Sequence, residues 1–198
     1  MRTVTIWSDG SYRREIDRGG YAALLYCDGN AKLHFGEEYN TTVNRMELKA
    51  AIDSLKLLTE PCKVQIYSDS QYLVNGIQKW LSNWKKRNWI SSSGQPVQNQ
   101  DLWQEMDRLM SYHHIQARWV KGHSRKNDLN SDSNRFVDHF AYNGAHSTEE
   151  HYYQPNSIIP VITTTSQLRE ESSQEQPVRQ RRERRPRRKR KPREPRTR

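Results

Sequence analysis

A chain of 198 residues, 33% hydrophobic and 10% aromatic, has room for one ordinary domain and a tail. No apolar run nears the ~20 residues of a membrane span, no internal repeat is visible, and Cys27 and Cys62 make no ligand or disulfide motif, which argues against a membrane protein, a solenoid and a disulfide scaffold and for a reduced, cytoplasmic protein. The net charge of +10 is local: residues 179–198 carry 13 Lys/Arg and 2 Asp/Glu, against 20 basic and 21 acidic residues in the other 178, so a near-neutral body bears a tail suited to a polyanion, most often nucleic acid.

The start, Met1 to Trp7, is too short for the apolar region of a signal peptide and reads as a strand over 2–8 that ends in a turn at Asp9-Gly10. Residues 20–27 and 32–39 alternate as strands, with Asp28-Gly29-Asn30 a hairpin signal between them. The period then changes. Met46, Leu48, Ala51, Ile52, Leu55 and Leu58 fall at helical spacing over 43–58, with Thr41 or Thr42 as cap and Pro61 beyond the end. A fourth strand is predicted over 63–68, closing at Asp69, and a helix from about Ser70 to Leu81. Residues 82–98 are polar, basic and Trp-rich, turning loop-like at Ser91-Ser92-Ser93-Gly94. Asn99 opens a helix with Leu102, Met106, Leu109 and Met110 on one face. Residues 115–120 make a fifth strand, 122–133 a long polar loop, and Phe136, Val137, Phe140 and Ala141 mark a last helix. Three strands joined by short connections should pair antiparallel, and the later two, reached through helices, should run parallel to a neighbour. The expected fold is α/β: a five-stranded mixed sheet with helices packed on it. It occupies 1–145, followed by a low-order linker over 146–178 and an Arg-rich disordered tail over 179–198. One apolar island, Ile158 to Ile162, is either part of that disorder or a docked edge segment.

Four acids stand where this fold would gather them. Asp9 follows the first strand and Asp69 the fourth; if those strands are adjacent and parallel, both emerge at the same carboxyl edge, where open α/β sheets place their ligands. Glu47 lies in the first turn of the helix leading to the fourth strand, and Asp138 near the start of the last helix. Converging carboxylates repel unless a cation intervenes, and hard oxygen ligands of this kind suit Mg²⁺ or Mn²⁺. Two such ions about 4 Å apart serve phosphodiester cleavage by activating water and stabilising the leaving oxygen. Any one of these acids could instead be a helix cap, as Asp69 before Ser70-Gln71.

The strings around the acids carry more. Ser8-Asp9-Gly10-Ser11, Asn44-Arg45-Met46-Glu47-Leu48, Ser68-Asp69-Ser70-Gln71-Tyr72, Asn83-Trp84-Lys85-Lys86-Arg87, Asp101-Leu102-Trp103 and Trp119-Val120-Lys121-Gly122-His123 together resemble bacterial ribonuclease HI, a type 1 ribonuclease H, in its order and near its spacing over residues 3–145. The resemblance implies the ribonuclease H fold and an endonuclease that cuts the RNA strand of RNA–DNA hybrids, leaving 5′-phosphate and 3′-hydroxyl ends. Asp9, Glu47, Asp69 and Asp138 would hold two Mg²⁺ ions, and His123, on a mobile loop, would assist proton transfer or product release. Asp138 is chosen over Asp128 and Asp132 because Asn134-x-x-x-Asp138-x-x-Ala141 matches the family's last helix, which makes the loop after His123 about five residues longer than the bacterial pattern.

By the same resemblance Gly10, Ser11, Asn44, Glu47 and Gln71 lie along the RNA strand, whose 2′-hydroxyl is the group that distinguishes it from DNA. Trp80, Trp84, Lys85, Lys86, Arg87 and Trp89 form a basic protrusion for the DNA strand, and Thr42 with Asn99 lines a phosphate pocket, although Asn99 is equally a plain helix cap. One departure stands out: Arg13-Arg14-Glu15-Ile16-Asp17-Arg18 replaces a Gly/Asn/Pro-rich turn, and an Asn contact to RNA is lost with it. Two other readings share parts of this pattern. A catalytically dead hybrid-binding module would not need all four acids, and a transposase or integrase would not need Glu47 on that helix, the protrusion and the Gly-His loop. A monomer is expected, in the cytoplasm, or in the nucleus of a eukaryotic host should the tail act as a signal.

The tail has few apolar side chains to offset the entropy of ordering, so it is expected to bind phosphates without reading sequence, by counterion release. A chain ending at Val178 should keep its turnover at saturating hybrid but bind hybrid more weakly at low salt, with a shallower slope of log K against log salt. A salt titration of both chains measures this; identical affinities and slopes would eliminate the anchor.

Overall fold

Strand β1 (Thr3–Arg13) pairs antiparallel with β2 (Arg18–Cys27), and β2 with β3 (Asn30–Tyr39) through the two-residue turn Asp28-Gly29, both at positive φ as that tight hairpin demands. The structure is a computed structural model and describes residues 1–146 and 158–159. The chain crosses back through α1 (Val43–Lys56) to β4 (Lys63–Ser68), which runs parallel to β1. It then passes through α2 (Gln71–Asn75), a π-helical turn at Gly76–Trp80, α3 (Leu81–Lys86) and α4 (Gln100–Tyr112) to β5 (His114–Trp119), parallel to β4. Helix α5 (Leu129–His146) closes the domain. The five-stranded mixed sheet is therefore three antiparallel and two parallel strands, and a two-residue strand β6 (Ile158–Ile159) pairs with Lys32 and Ala31 at its outer edge, giving the order β5-β4-β1-β2-β3-β6. The rest of the expected linker and the whole Arg-rich tail lie outside the described residues.

Side chains alternate between the two faces of the sheet along β1. Val4 and Ile6 face a core shared with Leu48, Ile52 and Leu55 of α1, Val64 and Ile66 of β4 and Trp103 of α4. Trp7 faces the other side, where Leu24, Leu33 and Phe35 meet Phe136, Val137 and Phe140 of α5. With helices on both faces, β2 is buried almost without interruption from Gly19 to Leu25.

Several boundaries differ from the sequence reading, each for a local reason. Asp9-Gly10 is not a turn: β1 keeps pairing with β2 beyond it, to Arg13↔Arg18. The helix expected over 70–81 continues through the π turn to Lys86. Glu47 is the fifth residue of α1, past its first turn. The polar loop is shorter than expected, because 129–133 is already helical, so Asp138 lies in the middle of α5 rather than near its start. That early start is set by Asp128, whose carboxylate accepts the Ser131 amide at 2.9 Å and the Ser131 hydroxyl at 3.2 Å, an N-cap that also pulls its pKa down. Hydrophobic periodicity could not reveal the turn, since Ser131, Asp132, Ser133 and Asn134 are polar yet buried.

Asp128→Ala should remove this cap and lower stability by about 1 kcal/mol. Urea denaturation should show a lower midpoint with an unchanged slope; an unchanged midpoint would show that α5 does not depend on the cap.

Candidate active site

Parallel pairing of β1 and β4 runs in a constant register, Thr3 level with Lys63 through Trp7 level with Tyr67. Continued two residues, it sets Asp9 beside Asp69 at the carboxyl edge of the sheet. Trp119 Nε1 donates to the Asp69 carbonyl at 3.0 Å, which ties the end of β5 to the same edge. Glu47 arrives from α1, and α1 comes this close because residue 10 is glycine: a Cβ there would lie 2.4 Å from the Glu47 amide nitrogen. Oxygens of Asp9, Glu47 and Asp69 consequently fall within 4.8 Å of one another, with Asp9 and Glu47 buried and Asp69 half-buried.

At that separation two carboxylates repel by on the order of 3 kcal/mol, even with an effective dielectric constant near 20. Burial, and after it the charges of Glu47, Asp69 and Asp138, raises the Asp9 pKa well above the usual carboxylate range; burial, Asp69 and Asp138 do the same to Glu47. The Gly10 amide, which donates to Asp9 Oδ1 at 2.9 Å, offsets only part of this. Glu47 Oε2 is buried with no hydrogen-bond partner. A buried acceptor without a donor, in a nest of hard oxygens that repel one another, fits a divalent cation.

Asp138 stands outside the trio that meets within 4.8 Å, yet its charge acts on both buried acids, and its Oδ2 lies 3.3 Å from His123 Nδ1. The two other acids weighed for its place are engaged elsewhere, Asp128 as the α5 cap and Asp132 in an ion pair with Arg135. The sequence reading used Asn134 only to place Asp138 and gave it no role in the site, yet it is 1% exposed and donates through Nδ2 to Asp69 Oδ2 at 3.2 Å. Its position four residues before Asp138, one helical turn away, was the available signal.

The remaining candidates border the acids or lie apart from them. Gly10 and Ser11 sit on β1, Asn44 at the second position of α1 and Gln71 at the exposed start of α2. Thr42 caps α1, accepting the Arg45 amide at 3.3 Å. Asn99 is not the side-chain cap considered from sequence: its backbone is left-handed, and its Nδ2 donates to the Tyr72 hydroxyl at 3.2 Å. Arg45 forks onto Asp101 at 2.9 and 2.8 Å, joining the starts of α1 and α4. In the Trp-rich segment Trp80, Trp84 and Trp89 are half-buried, and Trp84 packs on Trp80 and Trp103 with centroids 5.6 and 5.3 Å apart. Such aromatic pairs contribute about 0.5–1.5 kcal/mol each, more than the exposed Lys85–Asp107 pair at 2.8 Å. The tryptophans thus hold the segment to the core, while Lys86 and Arg87 face solvent.

Comparison with known proteins follows the same lines. A family model described as RNase H matches residues 1–146. The ribonuclease H of Hahella chejuensis is 48% identical over 124 residues, 63% of this chain and 84% of that protein. The ribonuclease H of Hydrogenovibrio crunogenus is 46% identical over 141 residues, 71% of this chain and 94% of that protein. Among solved structures, LC9-RNase H1, described as a type 1 RNase H with the type 2 active-site motif, superposes with a TM-score of 0.66 at 26% identity, covering 79% of this chain and 78% of that one. No helix among the described residues is long and apolar enough to cross a membrane.

The raised acids make a pH prediction. Above the ordinary carboxylate range the unfolded chain has released protons that folded Asp9 and Glu47 still hold, so ion-free stability should fall as pH rises from about 4 through their raised values. Asp9→Asn relieves the repulsion and should raise the ion-free melting temperature at pH 7, by roughly 3 °C per kcal/mol relieved, with a smaller gain at pH 5. Mg²⁺ should stabilise the parent more than the variant. Equal melting temperatures for both chains at both pH values would contradict the repulsion.

Proposed function

The chain belongs to the RNase H family, and on that footing we propose that it is an endonuclease hydrolysing the RNA strand of RNA–DNA hybrids by a two-metal-ion mechanism, with 5′-phosphate and 3′-hydroxyl products. The observation that carries this reading is the meeting of Asp9, Glu47 and Asp69 within 4.8 Å, two of them buried and one with an orphaned oxygen. In this reading the trio and Asp138 hold Mg²⁺, for which Mn²⁺ can substitute. Bound ions supply an activated water and charge stabilisation at the leaving oxygen.

The chain's own residues do the rest. Asn134 fixes one oxygen of Asp69 by its 3.2 Å hydrogen bond, so that the carboxylate presents a set orientation. Asp138 orients the exposed imidazole of His123, which passes a proton to the leaving oxygen or eases product release. Gly10, Ser11, Asn44, Glu47 and Gln71 follow the RNA strand and read its 2′-hydroxyls. Lys86 and Arg87, on a segment stiffened by Trp80, Trp84 and Trp89, take the DNA phosphates together with Lys85, and Thr42 and Asn99 flank a further phosphate. The enzyme acts as a monomer, and its Arg-rich tail adds nonspecific contact with nucleic acid.

The test is a digest of labelled hybrid, single strands and both pure duplexes in Mg²⁺, with the expectation that only the RNA of the hybrid is cut. Asp69→Asn should abolish cleavage while hybrid binding survives, whereas His123→Ala should slow turnover by about 10- to 100-fold without ending it. Near-parental turnover in Asp69→Asn would sink the assignment of the acids.

A further inference from the structure

His123 has φ of +48°, a left-handed conformation that residues other than glycine seldom adopt and that persists when neighbouring structure holds it. Its side chain is 82% exposed and meets Asp138 at 3.3 Å; further hold acts on the backbone around it. On one side stands Gly122, where a Cβ would lie 2.3 Å from Asp69 Oδ2. On the other, Ser124 is buried and its hydroxyl accepts the Lys126 amide at 3.2 Å. The Ser124 carbonyl accepts from Arg135 Nη1, and the same nitrogen donates to the Lys126 carbonyl at 3.3 Å.

Arg135 is itself braced. Its other terminal nitrogen, Nη2, pairs with Oδ1 of Asp132, a side chain with no solvent exposure one turn earlier on α5. A planar guanidinium suits this arrangement, with one arm on two loop carbonyls and the other on a buried carboxylate. Both residues lie in the early part of α5, between His123 and Asp138.

We propose that Arg135, braced by Asp132, is a positioning residue for hybrid cleavage: by fixing the 123–126 backbone it holds His123 beside Asp138, which rests on the proposed role of His123. Arg135 is not assigned any contact with the reacting atoms. Its removal frees the Ser124 and Lys126 carbonyls and lets the imidazole leave its working orientation, a loss of positioning that can be felt in turnover even from a distance.

The experiment is a double-mutant cycle on the full chain. Arg135→Ala should lower kcat about tenfold with KM for hybrid unchanged, and the same substitution in a His123→Ala background should change kcat by less than about twofold. Equal losses in both backgrounds, or an unchanged kcat in Arg135→Ala, would overturn the proposal. Arg135→Lys, which keeps the charge but cannot fork, should show an intermediate kcat with parental thermal stability; a parental kcat in that folded variant would also overturn it. Amide hydrogen exchange supplies a readout free of catalysis: residues 123–126 should exchange faster in Arg135→Lys than in the parent, while the sheet stays protected. Unchanged exchange refutes the latch even if the parent cuts hybrid, whereas a parent that does not cut hybrid refutes the functional reading and leaves exchange to judge the latch.

Discussion

Mutual repulsion among buried carboxylates is the constraint on which the rest of this structure turns. A chain that brings Asp9, Glu47 and Asp69 within 4.8 Å, with Asp9 and Glu47 buried, accepts a lasting electrostatic cost in its ion-free state. Such a cost is tolerated when the surrounding fold determines the arrangement and a ligand relieves it. The parallel register of β1 and β4 sets two of the acids level, and the missing side chain at Gly10 admits the helix that carries the third. On the far side of the sheet α5 brings Asp138, whose charge adds to the repulsion. The fold concentrates negative charge, and membership of the RNase H family connects that charge to phosphodiester hydrolysis.

Support around the acids is mostly neutral. Asn134 to Asp69, the Trp119 indole to the Asp69 carbonyl and the Gly10 amide to Asp9 are hydrogen bonds from uncharged donors. The Asn134 and Gly10 bonds orient carboxylate oxygens without cancelling their charge, and the Trp119 bond fixes the Asp69 backbone, so the site keeps its attraction for a cation. Cationic side chains are found further out: Arg45 is engaged by Asp101, Lys85 by Asp107 and Arg135 by Asp132. An arginine placed among the acids would stabilise the ion-free protein and compete with the metal.

Much of this could be read before any coordinates. Periodicity marked all five main strands and helix α1, and the hairpin at Asp28-Gly29 followed from its residues. The strings around them singled out Asp9, Glu47 and Asp69, which meet within 4.8 Å. What escaped depended on tertiary context. Asp-Gly usually marks a turn, but β2 extends far enough to keep β1 straight through Asp9-Gly10. Buried polar residues hid the first turns of α5, because helical patterning is recognised by apolar spacing and Ser131 to Asn134 offer none. The tryptophans at 80, 84 and 89 could be read either as a nucleic-acid surface or as packed inward; Trp84 and Trp89 lie half-buried against the core and Trp80 packs on Trp84, so they also brace the segment. The grip of Arg135 on Ser124 and Lys126 spans a loop and had no local signature.

The claim that ion binding relieves carboxylate repulsion is tested most directly by the protons that binding displaces. Titrating Mg²⁺ into the metal-free protein near pH 6 by calorimetry, in two buffers of different ionisation enthalpy, reports the number released per protein. If Asp9 and Glu47 hold protons that an ion must displace, the apparent enthalpy will differ between buffers, corresponding to net proton release, and the difference will shrink as pH rises. Binding with the same heat in both buffers at every pH, or no binding at all, would contradict the account.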